Sequence, residues 1–119
     1  MDAPAKRITI EVNPNRVRVT LGGVVIADSR RALTLREGSY PAVHYIPRID
    51  ADMALLRRTP HASHCPWKGD ASYFSIAAGG RTAENAVWSY LTPFEGVAEI
   101  ADMLAFYPNR VDAIEELPK

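Results

Sequence analysis

Arg16-Val17-Arg18-Val19-Thr20-Leu21-Gly22-Gly23-Val24-Val25-Ile26-Ala27 decides the fold. Val17, Val19 and Leu21 alternate with Arg16, Arg18 and Thr20, the period of two that marks a half-buried strand. Gly22-Gly23 supplies the two residues of a tight hairpin, and a β-branched run follows as the returning strand. Upstream, Ile8, Ile10 and Val12 alternate in the same way before Asn13-Pro14-Asn15 turns the chain. Downstream, Asp28-Ser29 closes the hairpin, Ala32–Arg36 reads as a fourth strand, and Gly38-Ser39-Tyr40-Pro41 punctuates again. Val43–Ile46 is short, aromatic and β-branched, and Pro47 stops it.

The second half is less regular. Asp50 is placed to cap a short helix over Ala51–Arg57. Thr59–Gly69, with Pro60 and Pro66, reads as irregular. Ala71–Ala78 and Ala86–Leu91 are strand candidates separated by Gly79-Gly80. Phe94–Ala105 has a helical stripe in Val97, Ile100, Ala101 and Leu104, and Val111–Ile114 makes a last strand. Short strands, tight turns and one or two short helices predict a mainly β (α+β), compact antiparallel domain. They exclude a doubly wound parallel sheet, and no GxGxxG or phosphate-loop sequence speaks for one.

The 119 residues amount to one domain over 1–119, and 47% hydrophobic against 24% charged residues excludes a disordered chain. A single cysteine excludes an intrachain disulfide framework. No apolar run approaches a membrane span of about 18 residues, and Met1–Val12 carries no apolar leader, so the expectation is a soluble, cytoplasmic protein without a membrane partner. Net charge is 0, but unevenly spread. Residues 1–60 hold 10 basic and 6 acidic side chains, residues 61–119 hold 4 and 8. Arg16, Arg18, Arg30, Arg31, Arg57 and Arg58 could touch phosphates, yet overall neutrality without a continuous basic stripe disfavours nucleic acid.

Four segments resemble a known family: Val25–Arg30, His44-Tyr45-Ile46-Pro47-Arg48, His64-Cys65-Pro66-Trp67-Lys68-Gly69-Asp70-Ala71-Ser72-Tyr73-Phe74, and Asn85–Tyr90. Their order and spacing are similar to domain-of-unknown-function family 427, and Leu104–Asp112 fits its C-terminal pattern. The resemblance covers roughly Ile8 to Glu116. It implies a β-tent-like domain in which two antiparallel sheets lean together, a type shared in outline with the cereblon ligand-binding domain, whose aromatic residues cage a small ring. Relatives of that architecture often hold zinc on two Cys-x-x-Cys pairs, whereas Cys65 is the only cysteine here. The family has also been labelled a nucleotidyltransferase.

The residues themselves offer four chemistries. Tyr45, Trp67, Tyr73, Phe74, Trp88 and Tyr90 fall in three segments, and on a strand Trp88 and Tyr90 face the same way. Such rings wall a small-molecule cleft or simply fill a core. Arg48, His64, Lys68 and Asn85 would be the cleft's polar contacts. Secondly, Gly38-Ser39 followed by Asp50-Ala51-Asp52 matches the bare Gly-Ser…Asp-x-Asp signature of nucleotidyl transfer, in which Asp50 and Asp52 would be catalytic and hold Mg²⁺. Pro41 and Pro47 between the halves argue against the helix that signature requires. Thirdly, Cys65 is a nucleophile candidate with His44 or His61 as base, or a small buried thiol. Fourthly, His44, His61, His64 and Cys65 are four possible metal ligands, and the offset of His61 and His64 suits a turn, but one cysteine without a Cys-x-x-Cys disfavours a structural zinc, so no metal site is assigned. The leading expectation is a domain binding a ring-bearing ligand or nucleotide through Tyr45, Arg48, His64, Trp67, Lys68, Tyr73, Asn85, Trp88 and Tyr90, with no cofactor. The alternatives are a Mg²⁺-dependent nucleotidyltransferase and a non-catalytic protein-interaction module. An exposed edge strand leaves homodimerisation by strand pairing open.

Overall fold

In the computed structural model, residues 7–119 are described; the expectation that the chain starts without a leader falls partly outside them. Ten strands follow in order: β1 (Ile8–Val12), β2 (Arg16–Leu21), β3 (Val24–Ser29), β4 (Leu33–Glu37), β5 (Val43–Tyr45), β6 (Leu56–Cys65), β7 (Gly69–Ala78), β8 (Arg81–Tyr90), β9 (Ala105–Phe106) and β10 (Ala113–Leu117). All pairings are antiparallel. The strands sort into three sheets, ordered β1-β4-β5, β10-β2-β3 and β6-β7-β8-β9, where the tent type has two.

The β7–β8 hairpin is the element both remaining sheets depend on. Side chains alternate faces along a strand, and here both faces are covered. Phe74, Ile76, Ala78 and Val87 join Val17, Val19, Leu21 and Ile26 in one apolar cluster. Ala71, Tyr73 and Tyr90, with Trp88 packed against them, join Leu35 and Tyr45 in another. The core is therefore divided by the hairpin, with aliphatic residues on one side and tyrosines on the other.

Three stretches differ from expectation. No helix spans Ala51–Arg57. One 3-10 turn, Arg48–Asp50, precedes it, a second, Met53–Leu55, lies within it, and β6 begins at Leu56. The cap is Asp52, whose carboxylate accepts the Ala54 N–H at 3.2 Å. Thr59–Gly69 is not irregular: most of it is β6, an edge strand paired only with β7. Pro60 is tolerated because a register shift between Thr59 and Ala62 removes the ladder bond it could not make. Phe94–Ala105 holds only a kinked 3-10 segment, Glu95–Ile100, which still buries Val97 and Ile100 from the expected stripe.

Candidate aromatic site

Strand parity explains the aromatic side of the core. On β4, Leu35 and Glu37 share a face, and on β5 Val43 and Tyr45 do, with Leu35 opposite Val43. On β8, Trp88 and Tyr90 share a face, and Tyr73 of β7 lies directly opposite Trp88. The two faces meet, leaving a hollow of about 200 Å³ lined by Glu37, Tyr45, Lys68, Tyr73, Trp88, Tyr90 and Tyr107, with Tyr40 and Pro41 at its edge. Trp88 is the central ring. Its indole N–H donates to the Tyr45 hydroxyl at 3.3 Å, its plane stands at 87° to Tyr45, and Tyr107 lies 4.5 Å from it. Tyr45 is wholly buried and forms the floor.

Lys68 enters through a turn. Its N–H bonds the Cys65 carbonyl at 3.2 Å, with Pro66 at the position where a type I or II turn favours proline. Phe94 N–H then bonds the Lys68 carbonyl at 2.9 Å. The ammonium lands 2.7 Å from Glu37 Oε1 and 3.6 Å from Cys65 Sγ. The side chains of Lys68 and Glu37 are 11% and 12% exposed, so this is a buried ion pair in an aromatic setting.

The phenols differ in what they bond. Tyr73 is tied to Ser63 at 2.8 Å and to Tyr107 at 3.3 Å. Tyr45 accepts from Trp88. Tyr90 is 6% exposed, lines the hollow, and its hydroxyl makes no hydrogen bond among the described residues. Among the described residues no side-chain oxygen or nitrogen is sealed off without a partner, so that hydroxyl keeps some accessible surface on a side chain that lines the hollow. Burial, then neighbouring phenols and the thiol, pushes Tyr45 and Tyr90 above the ordinary phenol range. Burial and the bond to Tyr73 push Tyr107 up to about 12. All three are neutral donors near neutral pH.

Of the nine ligand-binding candidates, the fold brings Tyr45, Lys68, Tyr73, Trp88 and Tyr90 together around this hollow. The other four lie elsewhere. Trp67 is on the outside of the Cys65–Lys68 turn, 48% exposed. His64 is exposed on β6 and pairs with Asp70 across the ladder at 2.7 Å. Arg48 donates to the Asp102 carbonyl and to Ser89, and lies over Phe74, on the aliphatic side of β8. Asn85, at φ 49°, forms the β8 bulge: its side chain accepts from Thr59 at 2.7 Å, and its own N–H donates to Ser75. Glu37, Tyr40 and Tyr107 were not singled out. Glu37 had a signal in its alternation with Leu33 and Leu35; Tyr107 follows a two-residue strand no periodicity could reveal.

Asp50 and Asp52 do not sit side by side on a strand. Both Asp50 oxygens face Arg31 at 3.1 Å, and the Ser29 hydroxyl donates at 2.7 Å. Asp52 is the turn cap already described. Gly38-Ser39 lies in a turn leading to β5, without a following helix. Among the described residues, no three His, Cys, Asp or Glu are grouped to hold a metal, and no helix is long and apolar enough to cross a membrane. Arg31, then burial in opposition, then Ser29, hold the Asp50 carboxyl below the usual range; Arg16 does the same to Asp28. A carboxyl lowered on folding stabilises above its unfolded value, near 3.9, and that stabilisation is lost as pH falls through the folded value. Acid unfolding below about pH 4 should therefore be shallower in Asp50→Asn than in the wild type, read by circular dichroism against pH; identical profiles would remove Asp50 from that role.

Fold and site together define a mainly antiparallel-β domain with a polar pair at the end of an aromatic hollow. The family model described as domain of unknown function (DUF427), which carries a nucleotidyltransferase label, matches residues 9–117. The chain belongs to that family. A comparison with curated proteins finds no match.

Proposed function

We propose that the domain binds a small molecule carrying a flat ring with an acceptor oxygen, seated in the hollow against the wall that Trp88, Tyr73 and Tyr107 form. The observation that carries the reading is the Tyr90 hydroxyl: a neutral donor with no partner among the described residues, on a nearly buried side chain that lines a cavity walled by rings. An acceptor that completes such a donor contributes about 0.5–1.5 kcal/mol. Lys68 adds a second donor, since an ammonium has three N–H groups and the carboxylate and thiol occupy two. The hollow is below the roughly 300 Å³ where drug-sized ligands begin, which suits one ring. Binding of this kind needs no cofactor.

The test is a thermal-shift screen of ring-bearing metabolites and nucleotides, with and without Mg²⁺. A ligand at about 100 times its Kd adds about 2.7 kcal/mol, a shift easily read. Stabilisation without metal supports the binder. Stabilisation by a nucleoside triphosphate only with Mg²⁺ transfers the case to nucleotidyl transfer, and no shift with any compound leaves a protein-interaction module. Tyr90→Phe sharpens the test. It removes no intramolecular bond, so unfolding stability stays within about 0.5 kcal/mol of wild type, while ring-ligand affinity falls about 2- to 13-fold, the worth of one hydrogen bond.

A further inference from the structure

A second hollow, of about 450 Å³, adjoins the first and shares Tyr40, Pro41, Val43 and Trp88 with it. Its character is different. Pro41, Val43, Trp88, Pro108 and Ile114 form its walls over a floor of buried Val17, Val19 and Phe106. Among the described residues its one titratable wall residue outside the shared tyrosine is His44. That ring is already engaged: Thr34 lies 2.9 Å from Nδ1 and Glu116 3.4 Å from Nε2. Among the described residues no lysine or arginine lines it. A phosphate or sugar-phosphate entering here would lose water without meeting a cation, which buried charge does not tolerate. An apolar group would meet matching walls.

We infer that the two hollows are one bipartite site, and that its ligand is a ring bearing an acceptor oxygen and an apolar substituent rather than a nucleotide. The ring lies in the aromatic hollow, with its oxygen toward Tyr90 and Lys68. The substituent passes Trp88, whose indole is a wall of both compartments, and lies against Pro41, Val43, Pro108 and Ile114. This rests on the ring-binding reading and adds the second compartment and the exclusion of phosphate.

Acetophenone, its 3′-butyl and 4′-butyl derivatives, and uridine monophosphate are the probes, with Kd measured by ligand-observed NMR on the full chain. A buried CH₂ contributes about 0.8 kcal/mol, about fourfold in Kd. At least one butyl derivative therefore binds tenfold or more tightly than acetophenone. Pro108→Glu, an exposed wall position, removes that gain and leaves acetophenone unchanged; Ile114→Ser serves the same purpose if the first variant melts early. Equal Kd for acetophenone and both derivatives overturns the second compartment and leaves the ring reading standing. A gain that survives both wall substitutions overturns it too. Uridine monophosphate binding more tightly than every acetophenone overturns the exclusion of phosphate. Failure of every probe to bind at millimolar concentration overturns both readings together.

Discussion

Lys68→Met should lower the melting temperature by about 12 °C. Lys68 and Glu37 form an ion pair whose side chains are about nine-tenths buried, at 2.7 Å. Removing one member of such a pair takes the strongest compensation from the other charge in a low-dielectric setting, a loss of up to about 3–5 kcal/mol. For a chain near 120 residues the unfolding entropy gives about 4 °C per kcal/mol, so the lower bound of that range is already about 12 °C. The pair itself contributes far less than its rupture suggests, because burying two charges costs nearly what their attraction returns. Lys68→Met/Glu37→Leu should therefore recover most of the loss, and the double-mutant cycle should show a favourable coupling larger than the loss in either single variant. Thermal unfolding of the four proteins by circular dichroism decides it. A single variant within 1 kcal/mol of wild type would mean that Glu37 is compensated without Lys68, and the pair would then not be what holds this end of the hollow together. The double variant also separates stability from binding, since it keeps the fold while removing the Lys68 donor.

How much of this was legible in the sequence follows from geometry. Period two identified β1 to β5 closely, because each is a short strand with a visible turn at its end. It also put Trp88 and Tyr90 on one face. Parity does not survive a turn, however. Within Cys65-Pro66-Trp67-Lys68 it is the lysine that points inward and the tryptophan outward, an inversion of what hydrophobicity alone suggests. For His64 and Asn85, exposed ladder pairing and a bulge gave no sequence signal distinct from that of a pocket residue. Arg48 was misplaced by one layer: it belongs with Ser89 and Phe74, on the other side of β8 from Trp88. β6 was hidden by Pro60, which reads as a breaker unless the strand is known to be an edge. The division of the core into two clusters was invisible for a deeper reason. It depends on which sheets cover the two faces of β7–β8, a non-local fact that no window of sequence contains.

The glycine pairs carry more than turn chemistry, and Gly79→Ala should be the most damaging conservative substitution in the chain. Gly22-Gly23 closes β2–β3, Gly79-Gly80 closes β7–β8, and the two turns touch. A Cβ on Gly79 would overlap the Gly22 carbonyl oxygen and lie 2.7 Å from its carbon; one on Gly22 would lie 2.6 Å from the Ala78 carbonyl oxygen. These are backbone atoms, so no side chain can swing away. Gly79 also sits at φ +56°, which costs an alanine about 1–2 kcal/mol. Overpacking adds about 1–3 kcal/mol. The expected loss is about 4 kcal/mol, or about 16 °C in melting temperature. Gly80, at φ +74°, has nothing within 4 Å of its Cβ position, so Gly80→Ala bears the backbone term alone, about 1–2 kcal/mol. The difference between neighbouring substitutions of the same type isolates the contact between turns, because their unfolded states are alike. Urea unfolding of both variants measures it. Equal losses would show that the two turns do not bear on one another, and that the sheet carrying Trp88 and Tyr90 is held against the β2–β3 sheet by the aliphatic cluster and the Arg81–Asp112 ion pair instead.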